Sequence, residues 1–282
     1  MVEALNKVFI TGTLVENKLE EKVTKDGRKY ISGSFVVNSN DNLITCDVLC
    51  FEKTKSGTVS KLYEQWAGIE TFLNKRVSVT AEFDSRKYYS EKSGKVETTY
   101  SYAAKFLRAA SRAEDSAEFS VTGYLVSYPI IISADDKDIA YSFTIAAHDY
   151  SGERAKLYRL NIDIDNSEVA AAIEDAGKGA TLTLSGDLVS FTRVVSIEKE
   201  VGFGKPKAKV YNNTYNFALV TSGSVLGDDF AYTEEQITKF NNGFILQDNE
   251  IITEAQRKKE APTASGKPLS ATASAVRGKL LL

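Results

Sequence analysis

A chain of 282 residues has room for one large domain or two ordinary ones. With 43% hydrophobic and 26% charged residues it is neither a disordered chain nor, lacking any apolar run of spanning length, a helical membrane protein. Its net charge of −3, from 35 Lys and Arg against 38 Asp and Glu, excludes a globally basic molecule, so any contact with a polyanion must come from local clusters.

Met1 to Lys7 lacks the basic segment and apolar run of a secretory signal, so a cytoplasmic location is expected, in the host cytoplasm if the source is viral. The first strand, Lys7-Val8-Phe9-Ile10-Thr11-Gly12-Thr13-Leu14, returns as Glu118-Phe119-Ser120-Val121-Thr122-Gly123-Tyr124-Leu125. Glycine inside each alternating run suits a tight barrel corner. Polar turns follow, Lys25 to Arg28 and Asp135 to Asp138, leading into second strands at Tyr30 to Asn38 and Ile139 to Ala147. Third strands are expected at Leu43 to Phe51 and Lys156 to Ile164, from their period of two.

Cys46 and Cys50, four apart on the first copy's third strand, read as reduced core residues. No metal site is expected, since a structural zinc needs about four ligands and the single histidine, His148, is remote in sequence. Each copy then turns helical, at Ser60 to Asn74 with Leu62, Trp66, Ile69 and Phe72 or Leu73, and at Ser167 to Ala176. Alternation resumes at Val77 to Ala81 and Thr181 to Gly186 and runs into a long hairpin, ending at Ala109 and Thr221.

Three strands, one helix and two strands, twice, is the order of a five-stranded Greek-key barrel of the OB type. The expected fold is therefore all-β: two tandem OB barrels, each with one helix between strands three and four, plus a partly helical or disordered C-terminal tail. Domain boundaries are expected at 1–113, 114–224 and 225–282. A generic antiparallel sandwich would share the alternation but leaves the repeated helix position unexplained. In the tail, Thr233 to Asn241 reads as a short helix capped by Thr233, and Ala261 to Lys279 as a flexible segment.

The hairpin from Asp84 to Tyr102 interleaves cations with rings: Arg86, Lys87, Tyr88, Tyr89, Lys92, Lys95, Tyr100 and Tyr102, with Ser93-Gly94 at the turn. Rings stack on unpaired bases, at about 1–3 kcal/mol each by alanine substitution, and cations neutralise phosphates. Tyrosines are also simply good strand residues. The second copy's hairpin joins Arg193, Phe203, Lys205, Lys207, Lys209 and Tyr211, a combination that equally describes a lysine-rich edge protected against sheet pairing. Gly202-Phe203-Gly204-Lys205 lacks the spacing of a phosphate loop, and no cofactor is expected. Asp163, Asp165, Glu174 and Asp175 are candidate nuclease carboxylates, but nothing in their spacing makes them converge, and His148 has no nucleophile motif nearby. No catalytic residue is assigned.

Three patches of the first copy resemble the bacterial and phage single-stranded DNA-binding protein family: the opening strand from Asn6, the run Val48-Leu49-Cys50-Phe51-Glu52-Lys53, and Arg86-Lys87-Tyr88 with Ser93-Gly94 and Thr98-Thr99. The resemblance implies base stacking at Phe51 and Tyr88, with Thr45 where the family commonly has tryptophan. It implies sequence-independent binding and protection of single-stranded DNA in replication, recombination or repair, without enzymatic activity. Single-stranded DNA is the expected partner, with replication or recombination proteins and a second copy of the chain as further ones, and no membrane. The family's acidic C-terminal peptide has no counterpart in Arg277 to Leu282. The alternative is an OB-fold protein-interaction or virion-associated scaffold that binds no nucleic acid.

Overall fold

The computed structural model describes residues 5–54, 56–111, 114–134, 137–148, 154–199 and 207–260. The first repeat folds as β1 (Asn6–Asn17), β2 (Glu20–Val23), β3 (Lys29–Ser39), β4 (Asn42–Phe51), α1 (Lys61–Ala67), a 3-10 turn (Ile69–Phe72), β5 (Arg76–Ser90) and β6 (Lys95–Ala109). The second folds as β7 (Ser116–Ala134), β8 (Lys137–His148), β9 (Ala155–Asp163), α2 (Ser167–Ala176), β10 (Thr181–Lys199) and β11 (Lys207–Val225), followed by α3 (Glu234–Glu260).

Each repeat closes on itself. In the first, β1 pairs with β3 and β5, β3 with β4, β5 with β6, and a parallel contact of Cys46 with Tyr102 joins β4 to β6. In the second, β9 meets β11 in parallel at Asn161 and Leu219 after the same antiparallel order. Both are OB barrels. The short β2 hairpin on β3 and the break of the first helix at Gly68 are details that the alternation did not show.

Gly12 sits where β1 passes from β5 to β3. A Cβ there would lie 2.2 Å from the Asn38 carbonyl oxygen, and one on Gly123, its repeat equivalent, 2.7 Å from that of Ala146. Gly12→Ala should therefore cost about 1–3 kcal/mol or more through overpacking, read as a lower denaturant midpoint with an unchanged slope.

The barrels are joined through their first strands. β1 and β7 pair antiparallel from Asn6 with Val121 to Thr11 with Ser116, and the central Val8 faces Phe119, its own repeat equivalent. The two barrels are thus related by a local two-fold at that pair. Their cores merge across it, and Phe83 of β5 shows how: its ring centroid lies 5.5 Å from Tyr102, 5.3 Å from Phe119 and 5.6 Å from Tyr158. At the far end of the first barrel Trp66 of α1 packs on Phe35, with centroids 5.7 Å apart, and plugs it.

Cys46 is fully buried and its thiol is pushed up by desolvation, whereas Cys50 is only half-buried; both are free. The C-terminal helix is much longer than Thr233 to Asn241. Thr233 and Gln236 form a reciprocal capping box, each backbone N–H donating to the other's side-chain oxygen. Phe240 and Phe244 then dock α3 with Tyr232 against Tyr124 of β7, which carries the helix through the weak helix formers Asn241, Asn242 and Gly243. Residues 261–279 lie outside the described part.

Candidate nucleic-acid interface

In OB barrels the outer face of the second and third strands, with the loops flanking it, is the surface that takes oligonucleotides. Here those strands are β3 and β4. Alternation sends Ile44, Cys46 and Val48 inward and leaves Thr45, Asp47, Leu49 and Phe51 outward, beside Val36, Ser34, Ser32 and Tyr30 of β3. Phe51 is 37% exposed; its centroid is 5.5 Å from the Tyr30 ring, and the Arg28 guanidinium lies 5.2 Å over it. Two rings and a cation thus form one open platform. Leu49, 60% exposed, continues it along β4.

The β5–β6 hairpin projects beyond the barrel around Gly94, whose φ of +68° makes the turn. On one face stand Arg86 and Tyr88, both exposed, with Lys92 and Lys95 exposed at the tip. The Tyr88 hydroxyl donates to Glu97 Oε2 at 2.8 Å and Ser93 Oγ donates to Oε1 at 2.6 Å. These hydrogen bonds hold the Glu97 carboxyl below the usual carboxylate range and push the Tyr88 phenol up, so the ring is neutral and fixed to the hairpin.

Three expected residues sit elsewhere. Tyr102 is only 6% exposed and packs edge-on to Phe83 in the core, so its ring has no face to offer a base. Lys87 points to the opposite face from Tyr88, under α3, where its ammonium is 2.7 Å from Asp248 Oδ1 and 4.9 Å from the Phe244 centroid. Only 9% of that side chain is exposed, so it serves helix docking and not a backbone track. Lys87→Met should loosen α3 by about 1–2 kcal/mol through loss of the ion pair and the cation–π contact, read as faster hydrogen exchange in 244–254. Tyr89 shares this face, beside Ile251 and Glu254 of α3.

Tyr100 lies under the Arg159 guanidinium of the second barrel, 4.6 Å from its centroid. Arg193, Lys207, Lys209 and Tyr211 fall on the paired strands β10 and β11, in register as Arg193 with Asn213, Val195 with Tyr211, Ile197 with Lys209 and Lys199 with Lys207. Phe203 and Lys205 lie outside the described residues. Three residues that sequence reasoning missed, Arg28, Tyr30 and Arg159, belong to this surface or its edge. For the first two, a cation two residues before a ring at the start of a strand was a usable signal; Arg159 carried none, because its ring partner is 59 residues away in the chain.

His148 is held by Tyr232, whose hydroxyl lies 2.6 Å from Nδ1. Asp163 Oδ1 accepts from the Asp165 backbone N–H in the turn before α2.

The YorF family model matches residues 4–258, so the chain belongs to the YorF family. No curated protein matches it. Among solved structures it is similar to a deletion mutant of the single-stranded DNA binding protein from Thermus aquaticus, at 15% identity over 83% of this chain and 100% of that one, with a TM-score of 0.52. The wild-type protein from Thermus aquaticus is similar at 12% identity, covering 82% and 98%, with a TM-score of 0.53. At such identities the likeness is one of fold.

Proposed function

We propose that this YorF-family chain binds single-stranded DNA without sequence preference and shields exposed strands during replication, recombination or repair. The observation that carries the reading is the open platform of Tyr30, Phe51 and Arg28 on the oligonucleotide face of an OB barrel, with Arg86, Tyr88, Lys92 and Lys95 on the adjoining hairpin. Flat rings stack on unpaired bases of any kind, and cations follow the phosphates, so the combination selects strand state and not sequence. The net charge of −3 does not oppose this, because the cations are placed locally. The tandem barrel fold shared with the Thermus aquaticus proteins supports the reading.

Nothing in this chemistry calls for bond making or breaking, and the protein acts as a binder. The long β10–β11 hairpin of the second barrel would extend the track through Arg193, Lys207 and Lys209 on its strands.

Competition binding of the full chain to labelled oligo(dT), with unlabelled oligo(dT) or duplex as competitor, tests the proposal. Oligo(dT) should displace the label and duplex should do so only at large excess. Absence of binding at low salt would instead favour a protein-interaction scaffold.

A further inference from the structure

Where the barrels face each other, β6, β9 and β11 border two adjoining cavities of about 400 and 510 Å3, the first reaching the outer side of β4 at Thr45 and Asp47 and the second reaching β7 and β8 at Ser127 and Ser142. Among the described residues, four side chains line both: Tyr100, Arg159, Asn161 and Asn216. Their placement follows from alternation, since β9 turns Tyr158, Leu160 and Ile162 into its own barrel and Arg159 and Asn161 outward to the other one. Asp47 and Thr99, both exposed, line the first cavity together with Arg159, so the cleft opens to solvent.

Arg159, Asn161 and Asn216 place polar groups beside Ile130, Ile132 and Phe217, where packing alone would favour apolar residues. Asn161 is only 2% exposed, yet its Nδ2 has no hydrogen-bond partner among the described residues, and neither has the buried Oδ1 of Asn216. A buried donor or acceptor left unpaired is costly, and native proteins rarely keep one without a use. Here an unpaired donor and an unpaired acceptor border the same cavities, against a ring backed by a guanidinium.

We propose that this cleft is a nucleobase pocket, in which one unpaired base of the bound strand lies against the Tyr100–Arg159 pair and exchanges hydrogen bonds with Asn161 and Asn216. The inference rests on the single-stranded DNA reading and deepens it. All four bases present a donor and an acceptor side by side on the Watson–Crick edge, and an amide can offer either its N–H or its oxygen. The pocket therefore accepts any base whose edge is free. In a duplex that edge is already occupied, so the pocket supplies a physical reason for rejecting paired DNA. The Asp47 carboxylate at the mouth repels phosphate, which keeps the backbone outside and the base inside.

The test uses the full chain and oligo(dT) carrying 5-iodouracil, which photo-crosslinks to aromatic rings in contact with it. An adduct on the Tyr100 peptide is expected. Asn161→Leu should bind oligo(dT) about tenfold more weakly, as expected for one or two lost hydrogen bonds, bind an abasic oligomer of equal length as the wild type does, and melt at a higher temperature because the orphan amide is gone. Adducts confined to Phe51 and Tyr88, or an Asn161→Leu variant that keeps wild-type affinity, would overturn the pocket while leaving the broader reading intact. Failure of the wild type to bind oligo(dT) would overturn both. The crosslink on the wild type decides the matter should the variant not fold.

Discussion

Phe83→Ala is expected to destabilise the protein by about 3–5 kcal/mol. Phe83 is 5% exposed and belongs by sequence to the first barrel, yet two of its three ring partners, Phe119 and Tyr158, belong to the second. Its neighbourhood is fixed from several sides: the Asn6 side chain donates to the Phe83 carbonyl and accepts from its N–H, and also donates to the Tyr158 hydroxyl. A cavity there cannot collapse without moving both barrels. Phe35→Ala, equally buried against Trp66, should cost a similar amount but act within the first barrel. Hydrogen exchange separates the two: Phe83→Ala should raise exchange in β1–β6 and β7–β11 alike, Phe35→Ala in β1–β6 alone. Unchanged protection of β7–β11 in Phe83→Ala would show that the merged core does not couple the barrels.

Phe51→Ala and Tyr88→Ala should each weaken oligo(dT) binding by about 5- to 150-fold, the range for losing one stacked base. Both rings are partly accessible, at 37% and 42%, and neither belongs to the buried core, so the loss of stability should be well below that of a core truncation. Tyr88→Phe is the informative control, because it keeps the ring and loses only the hydrogen bond to Glu97. It should bind nearly as the wild type does. Arg28→Ala should act differently, reducing the dependence on salt by about 0.7 in the log–log slope if one phosphate contact is lost. Fluorescence titration at several salt concentrations reads all four variants. Equal affinity of Phe51→Ala, Tyr88→Ala and wild type would remove the platform and the hairpin from the site.

The architecture was legible in the chain because its signals are local and repeated. Alternation marked the strands, Gly12 and Gly123 marked the corners that a Cβ would clash into, and the helix recurred at one place in each copy. What lay hidden depended on partners remote in sequence. Tyr100 and Tyr102 lie on one side of β6 and look equivalent, but the hairpin leaves the barrel between them, so one meets Arg159 and the other the core. Lys87 looks like its neighbours until α3, more than 150 residues later, covers it. The helix itself was read short because Asn241-Asn242-Gly243 is a poor helical stretch, and tertiary docking of Phe240 and Phe244 overrides that preference. Asn161 is the sharpest case: a lone polar residue in a strand says nothing until the fold buries it with its amide unpaired.

The affinity of the intact chain for oligo(dT), set against an abasic strand with the same number of phosphates over a range of salt concentrations, tests most directly whether rings hold bases while cations hold the backbone. Both ligands should weaken with salt in parallel, with oligo(dT) the tighter at every concentration by a constant factor that reflects stacking. Equal affinities, or binding of oligo(dT) that ignores salt, would contradict it.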